Sequence, residues 1–173
     1  MGAGKTTVGK LLAKKLHLGF IDLDLFIEKR YNKSVSQLFA DHGEESFREI
    51  EAKVLREVSD FEDVVISTGG GAPCFHRNMQ RIKETGTSVY LKTSAQELAR
   101  RLEAGKSSRP LVRDKSPEEL VQFIAGNLTQ RDSYYNQADI IFDAEKMLTD
   151  SDVTTIVNHL IDILRETPCK HPN

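Results

Sequence analysis

Two cysteines are all that the 173 residues hold. Cys74 and Cys169 lie far apart, outside any C-x-x-C pair or histidine spacing, which argues against both a disulfide framework and a zinc site. Long apolar runs are missing too. None approaches the ~18 residues that a membrane span requires, and the sequence contains no basic-then-apolar leader. Net charge is slight: 24 Lys and Arg against 26 Asp and Glu leave a formal −2. Neither a general nucleic-acid surface nor a membrane-binding face is therefore expected. The partners left are small molecules met at a local site in a reducing cytoplasm, by a chain expected to act as a monomer. Its length and 39% hydrophobic content suit one domain, residues 1–173, with a core of its own.

The first seven residues, Met1-Gly2-Ala3-Gly4-Lys5-Thr6-Thr7, read as the second half of a phosphate-binding loop that runs into a helix. Glycine lets backbone N–H groups close around phosphate oxygens, lysine sets an ammonium against the outer phosphates, and the next hydroxyl can ligate Mg²⁺. The helix N-terminus adds its positive end. The full pattern G-x-x-x-x-G-K-[ST] also calls for a glycine five positions before Gly4 and an apolar strand ahead of it. Either the match is fortuitous, or the chain starts at an internal methionine and the native protein carries about ten more residues upstream, which is the expectation. A sheet deprived of that strand leaves backbone groups unpaired at about 1–3 kcal/mol for each buried one. The chain beginning at Met1 is accordingly expected to be impaired in stability or activity.

Downstream, strands and helices alternate. Val8, Leu11, Leu12 and Leu16 recur at helical spacing from Thr6 to His17, and Gly19 is the expected stop. Phe20-Ile21-Asp22-Leu23-Asp24 reads as a buried strand whose alternation sets Asp22 and Asp24 on one side, at the end where open α/β sheets hold ligands. Both could equally be turn or cap residues. Helices are expected near 25–31, from Ser34 to Gly43, and from Glu44 to Val58, and together 25–60 form a substrate-side lobe. Arg48 and Glu51 stand one turn apart on the last of these, a spacing that most often marks a solvated ion pair.

Val64-Val65-Ile66-Ser67-Thr68 is a β-branched strand that ends in Gly69-Gly70-Gly71, a run that permits close backbone approach to a ligand. Further strands are expected near 88–92 and 140–143. Helices are expected at 77–84, from a Ser94-to-Glu97 capping box to Arg100 and Arg101, from Ser116 to Arg131, and at 152–165. Residues 105–115 are polar, basic and aperiodic. Such a segment is either plain surface or a closing lid, and Arg109 is the residue a lid would deliver.

Taken together, G-A-G-K-T-T, F-I-D-L-D, F-R-E-I-E, S-T-G-G-G-A, S-R-P-L and Q-R-D-S-Y-Y resemble shikimate kinase over essentially the whole chain. The resemblance implies an α/β, three-layer P-loop kinase of the nucleoside monophosphate kinase type. Its parallel sheet has five strands, of which four are visible here, flanked by helices and a lid. It implies transfer of the ATP γ-phosphoryl group to the 3-hydroxyl of shikimate, with Mg²⁺. Gly2, Ala3, Gly4, Lys5, Thr6 and Thr7 match the phosphate loop, Thr6 and Asp22 the metal site, and Asp24 the carboxylate that binds and activates the acceptor hydroxyl. Arg48 and Arg131 match the arginines that clamp the substrate carboxylate, Glu51 the residue that orients Arg48, and Gly69, Gly70 and Gly71 the loop beside the substrate ring. Arg109 matches the lid arginine and Arg101 the one packed on adenine, with Arg100 one position away as the alternative. The family's proline beside adenine has no counterpart between Asp143 and Thr155. A gluconate kinase, a nucleoside monophosphate kinase and a catalytically silent nucleotide-binding module are the competing readings.

Overall fold

The computed structural model describes residues 2–103, 114–147 and 149–167. Arg109 with most of the expected lid, and Cys169 with the tail, lie outside the described residues. The first helix, α1 (Lys5–Leu16), opens at Gly4, whose φ of 80° suits a residue without a Cβ. His17, not Gly19, closes it: the histidine takes the left-handed position at φ 57°, and its amide bonds back to the Ala13 and Lys14 carbonyls. Gly19 is instead the first residue of β1 (Gly19–Asp22).

Strand β1 pairs in parallel with β2 (Val64–Ser67), in a register that sets Asp22 beside Ser67. Further along, β3 (Val89–Lys92) pairs in parallel with β4 (Ile140–Asp143). Each strand has one ladder partner among the described residues. The four strands fall close to their expected positions, but they form two parallel ladders and not one continuous sheet. Helices cover both faces. On β2, Val65 turns to the cluster of α1 and of α7 (Asp150–Glu166), where Val8, Leu12, Val157 and Leu160 pack on Leu91, Ile140 and Phe142. Ile66, one residue on, turns the other way, with Ile21, onto α2 (Leu23–Tyr31) and α3 (Val35–Val58). That opposite turn is the period-2 geometry of a strand.

Helix α3 carries a break at Gly43, whose φ of 75° and ψ of 172° divide it where the sequence expects two helices to meet. Its second part buries Phe47, Val54, Leu55 and Val58 against Leu23, Ile27 and Leu38. Each such side chain, fully buried, contributes about 1.5–3 kcal/mol. The helix face that bears Arg48 and Glu51 is therefore firmly seated. A short 3₁₀ turn (Ala72–Cys74) and α4 (Asn78–Thr85) follow β2, and α5 (Ala95–Glu103) follows β3. Ser94 caps α5 through Glu97 N–H, but the reciprocal arm of the box is absent. Glu97 turns to Arg100 and Arg101, while Glu145 accepts from the Ser94 backbone instead. Helix α6 (Pro117–Tyr135) starts with a complete Ser116–Glu119 box and runs one turn beyond Arg131.

Candidate active site

Parallel pairing in register brings the ends of β1 and β2 to the same edge, next to the start of α1. Asp22 closes β1 and caps α2, accepting from Leu25 N at 3.3 Å, and its other oxygen accepts from Thr6 Oγ1 at 2.8 Å. Asp24 lies in the first turn of α2. The expectation that strand alternation aligns the two carboxylates is thus corrected: the chain turns helical after Asp22, and the cap brings both to the site. Capping and a site role are not alternatives here, because one carboxylate has two oxygens.

Gly2, Ala3, Gly4, Lys5, Thr6, Thr7 and Arg101 line one cleft of about 290 Å³. Arg101 is held there by the segment just beyond β4. Its Nη2 donates to the Ala144 and Glu145 carbonyls at 2.7 and 2.9 Å, and its Nε to Glu97 at 2.7 Å. Its Nη1 is buried with no hydrogen-bond partner among the described residues. Arg100 is largely exposed and pairs with Glu97, so Arg101 is the member of the pair that lines the cleft. Met147, which the sequence reading passes over, packs on the loop so closely that a Cβ at Gly4 would lie 2.0 Å from its Cε.

On the other side of Asp24, Arg48 and Glu51 form a buried pair, with side-chain exposures of 12% and 1% and an Nη1–Oε2 distance of 2.8 Å. The solvated pair that the spacing suggests is therefore not what folds. Three rings, Phe39, Phe47 and Phe75, surround the Arg48 guanidinium, Phe75 closest at 4.3 Å to the ring centre. The exposed Glu44 also accepts from it at 3.1 Å. The glycine run presses on these groups. A Cβ at Gly69 would stand 2.8 Å from Asp24 Oδ1, and one at Gly71 would stand 2.7 Å from both terminal nitrogens of Arg48. The Gly70 carbonyl accepts from the Tyr135 hydroxyl at 2.5 Å.

The charges interlock. Burial pushes the Lys5 pKa down, opposed by Asp24 and then Asp22. Burial pushes Asp24 up, helped by Asp22 and opposed by Lys5 and Arg48. Glu51 is raised by burial against the Arg48 hydrogen bond, and it also feels Asp24 and Arg131. Arg131, on α6, acts on Lys5, Glu51, Cys74 and Tyr135 alike. Asp24 therefore feels Lys5 of the loop at the start of α1 and Arg48 of α3 as opposing positive charges. Cys74 is a half-buried free thiol whose pKa burial raises, so it is no activated nucleophile. Sequence reasoning misses Tyr135 and Phe75. Tyr135 could have been found, since it lies four residues after Arg131 on one helix face.

A family model described as shikimate kinase matches residues 1–161. The chain belongs to that family. It is 61% identical over 164 residues to a shikimate kinase of Parabacteroides distasonis, covering 95% of each. With the one from Bacteroides fragilis identity is 49%, over 95% of this chain and 92% of the relative. Among solved structures, the shikimate kinase from Bacteroides thetaiotaomicron superposes with a TM-score of 0.93 at 46% identity, covering 95% and 94% of the two chains. That of Acinetobacter baumannii, solved in complex with shikimate, gives 0.81 at 32% identity, covering 96% and 90%. The three-layer α/β P-loop kinase fold is thereby shown, with helices flanking parallel strands.

Proposed function

We propose that the chain, as one kinase unit, transfers the γ-phosphoryl group of ATP to the 3-hydroxyl of shikimate at this site. The observation that carries the reading is the position of Asp24, electrostatically coupled to Lys5 on one side and to Arg48 and Glu51 on the other. In that position a carboxylate can receive the proton of an acceptor hydroxyl while Lys5 holds the outer phosphates. Arg48 and Arg131 take the substrate carboxylate, each by charge-assisted hydrogen bonds. Glu51 fixes the direction of Arg48. The backbone of Gly69 to Gly71 closes against the substrate ring, where a side chain would displace Asp24 or Arg48.

The phosphate loop and Arg101 hold the nucleotide, and the unpartnered Nη1 of Arg101 supports an adenine-side role because a buried guanidinium nitrogen calls for an acceptor or a ring face. Magnesium fits the donor set. Among the described residues no group of three or more His, Cys, Asp or Glu could hold a metal ion, and Thr6 with Asp22 offers two oxygens. That is the sparse protein share usual for Mg²⁺, which keeps water and phosphate oxygens as its other ligands. When bound, the ion neutralises charge on the transferred phosphate. Arg109 is proposed as the lid arginine on sequence grounds. Among the described residues no helix is long and apolar enough to cross a membrane. Action as a monomer in the cytoplasm completes the reading.

Arg131→Ala is expected to raise the shikimate KM about 10–100-fold, the cost of losing one charge-assisted partner. Turnover at saturation should change far less. An unaltered KM in steady-state assays contradicts the carboxylate clamp. The reading as a whole is tested by following ADP release with Mg²⁺-ATP in the presence and absence of shikimate.

A further inference from the structure

We infer that Tyr135 is a positioning residue for the acceptor site, its hydroxyl tying α6, the helix that carries Arg131, to the Gly70 carbonyl so that the glycine run and that arginine keep a fixed spacing. The inference rests on the acceptor site proposed above. A phenol has one proton to donate and two lone pairs to offer. The proton goes to Gly70 O. Arg131 stands one turn earlier on the same helix, and its charge is felt at the Tyr135 hydroxyl. The bond therefore fixes the helix that carries Arg131 to the middle of the glycine run.

Three observations show why that tie matters. The Gly69 and Gly71 carbonyls are engaged by Ala72 N–H at 3.2 Å and Cys74 N–H at 2.9 Å, within the turn itself. Gly70 is thus the carbonyl through which the run is anchored to another element. The run packs close to the site groups, since added Cβ atoms at Gly69 and Gly71 would stand 2.8 Å from Asp24 and 2.7 Å from Arg48. A displacement of a few tenths of an ångström at Gly70 would therefore move the backbone into, or away from, the groups that meet substrate. Finally, the Tyr135 ring is itself held, with the Tyr90 ring 4.9 Å away at 40°. Removing the oxygen alone leaves that packing in place.

Tyr135→Phe is the test, with Tyr134→Phe as its control because that neighbour is partly exposed. Shikimate affinity by titration calorimetry and steady-state kinetics are measured on both, beside the unaltered chain. Tyr135→Phe is expected to weaken shikimate binding and raise its KM about tenfold, with kcat and the ATP KM held within about twofold. Tyr134→Phe should change none of these. A tyrosine that works through Arg131 should also lose its effect when Arg131 is gone, so Tyr135→Phe added to Arg131→Ala is expected to cost nothing further in KM. A structural role would not give that result. An unchanged shikimate KM in Tyr135→Phe overturns the inference alone, as do penalties that add fully in the double variant, or a loss of kcat and both KM values in step with thermal stability. An unaltered chain that folds but neither binds nor phosphorylates shikimate overturns both the inference and the functional reading beneath it.

Discussion

Asp24→Asn is expected to lower kcat with shikimate by about 10²–10⁴-fold, the usual worth of a positioned general base. The KM for ATP should stay within about twofold. The substitution keeps size and hydrogen-bonding shape but cannot take a proton. Asp24 is suited to that task because burial and the neighbouring Asp22 raise its pKa, so the carboxylate is a better base than one in water, while Lys5 and Arg48 keep it from rising further. The direction of the shift also fixes a pH effect. As pH falls through the raised Asp24 pKa the base becomes protonated, so kcat/KM should fall on an acidic limb set above the ordinary carboxylate range. Asp24→Asn should lack that limb. Steady-state kinetics between pH 4 and 8 check both statements, and unchanged turnover in the variant removes Asp24 from the chemistry.

Arg48→Ala is expected to act twice. It removes a proposed partner of the substrate carboxylate, which should raise the shikimate KM about a hundredfold. It also strands Glu51, at 1% exposure, without the cation that hydrogen-bonds it. Breaking a buried pair in this way costs about 3–5 kcal/mol of stability. The sign of the pH dependence follows from the raised pKa of Glu51. A carboxyl whose folded pKa lies above its unfolded value destabilises the fold when ionised. That cost is in full force above the folded pKa and vanishes as pH falls below the unfolded one. Loss of Arg48 pushes the folded pKa higher still, so the variant should regain stability relative to the unaltered chain on going from pH 7 to pH 5. Urea unfolding at the two pH values measures it. A deficit that is equal at both would mean that Glu51 is not the stranded charge.

Most of the strand and helix order could be read from the sequence because it rests on local patterns. Val64 to Ser67 is β-branched, α7 buries Val153, Ile156, Val157, Leu160 and Ile161 at helical spacing, and Ser116 with Glu119 writes its own cap. What the sequence left open depends on neighbours far away in the chain. The left-handed stop of α1 falls on His17, where a glycine two residues later looks the better candidate. Asp22 ends its strand as expected, but only the Thr6 hydroxyl and the Leu25 amide show that it also caps α2 and meets the loop. Arg48 and Glu51 have the spacing of a surface pair, and only the rings of Phe39, Phe47 and Phe75 with the glycine run make them a buried one. Two carbonyls just beyond β4 hold Arg101 at the cleft, a choice over Arg100 that one residue of helical rotation decides. Tyr135 depends on a contact across 65 positions, to Gly70. The residue types of the site are therefore legible in sequence, while their burial and mutual orientation belong to tertiary packing.

The most direct measurement is the release of ADP from Mg²⁺-ATP by folded protein with shikimate, with gluconate, and with no acceptor. Asp24, Arg48 and Arg131 around the glycine run predict release that depends on shikimate, with phosphate recovered on its 3-hydroxyl and little turnover of gluconate. Release with gluconate in place of shikimate, or folded protein that turns over neither, would contradict the account.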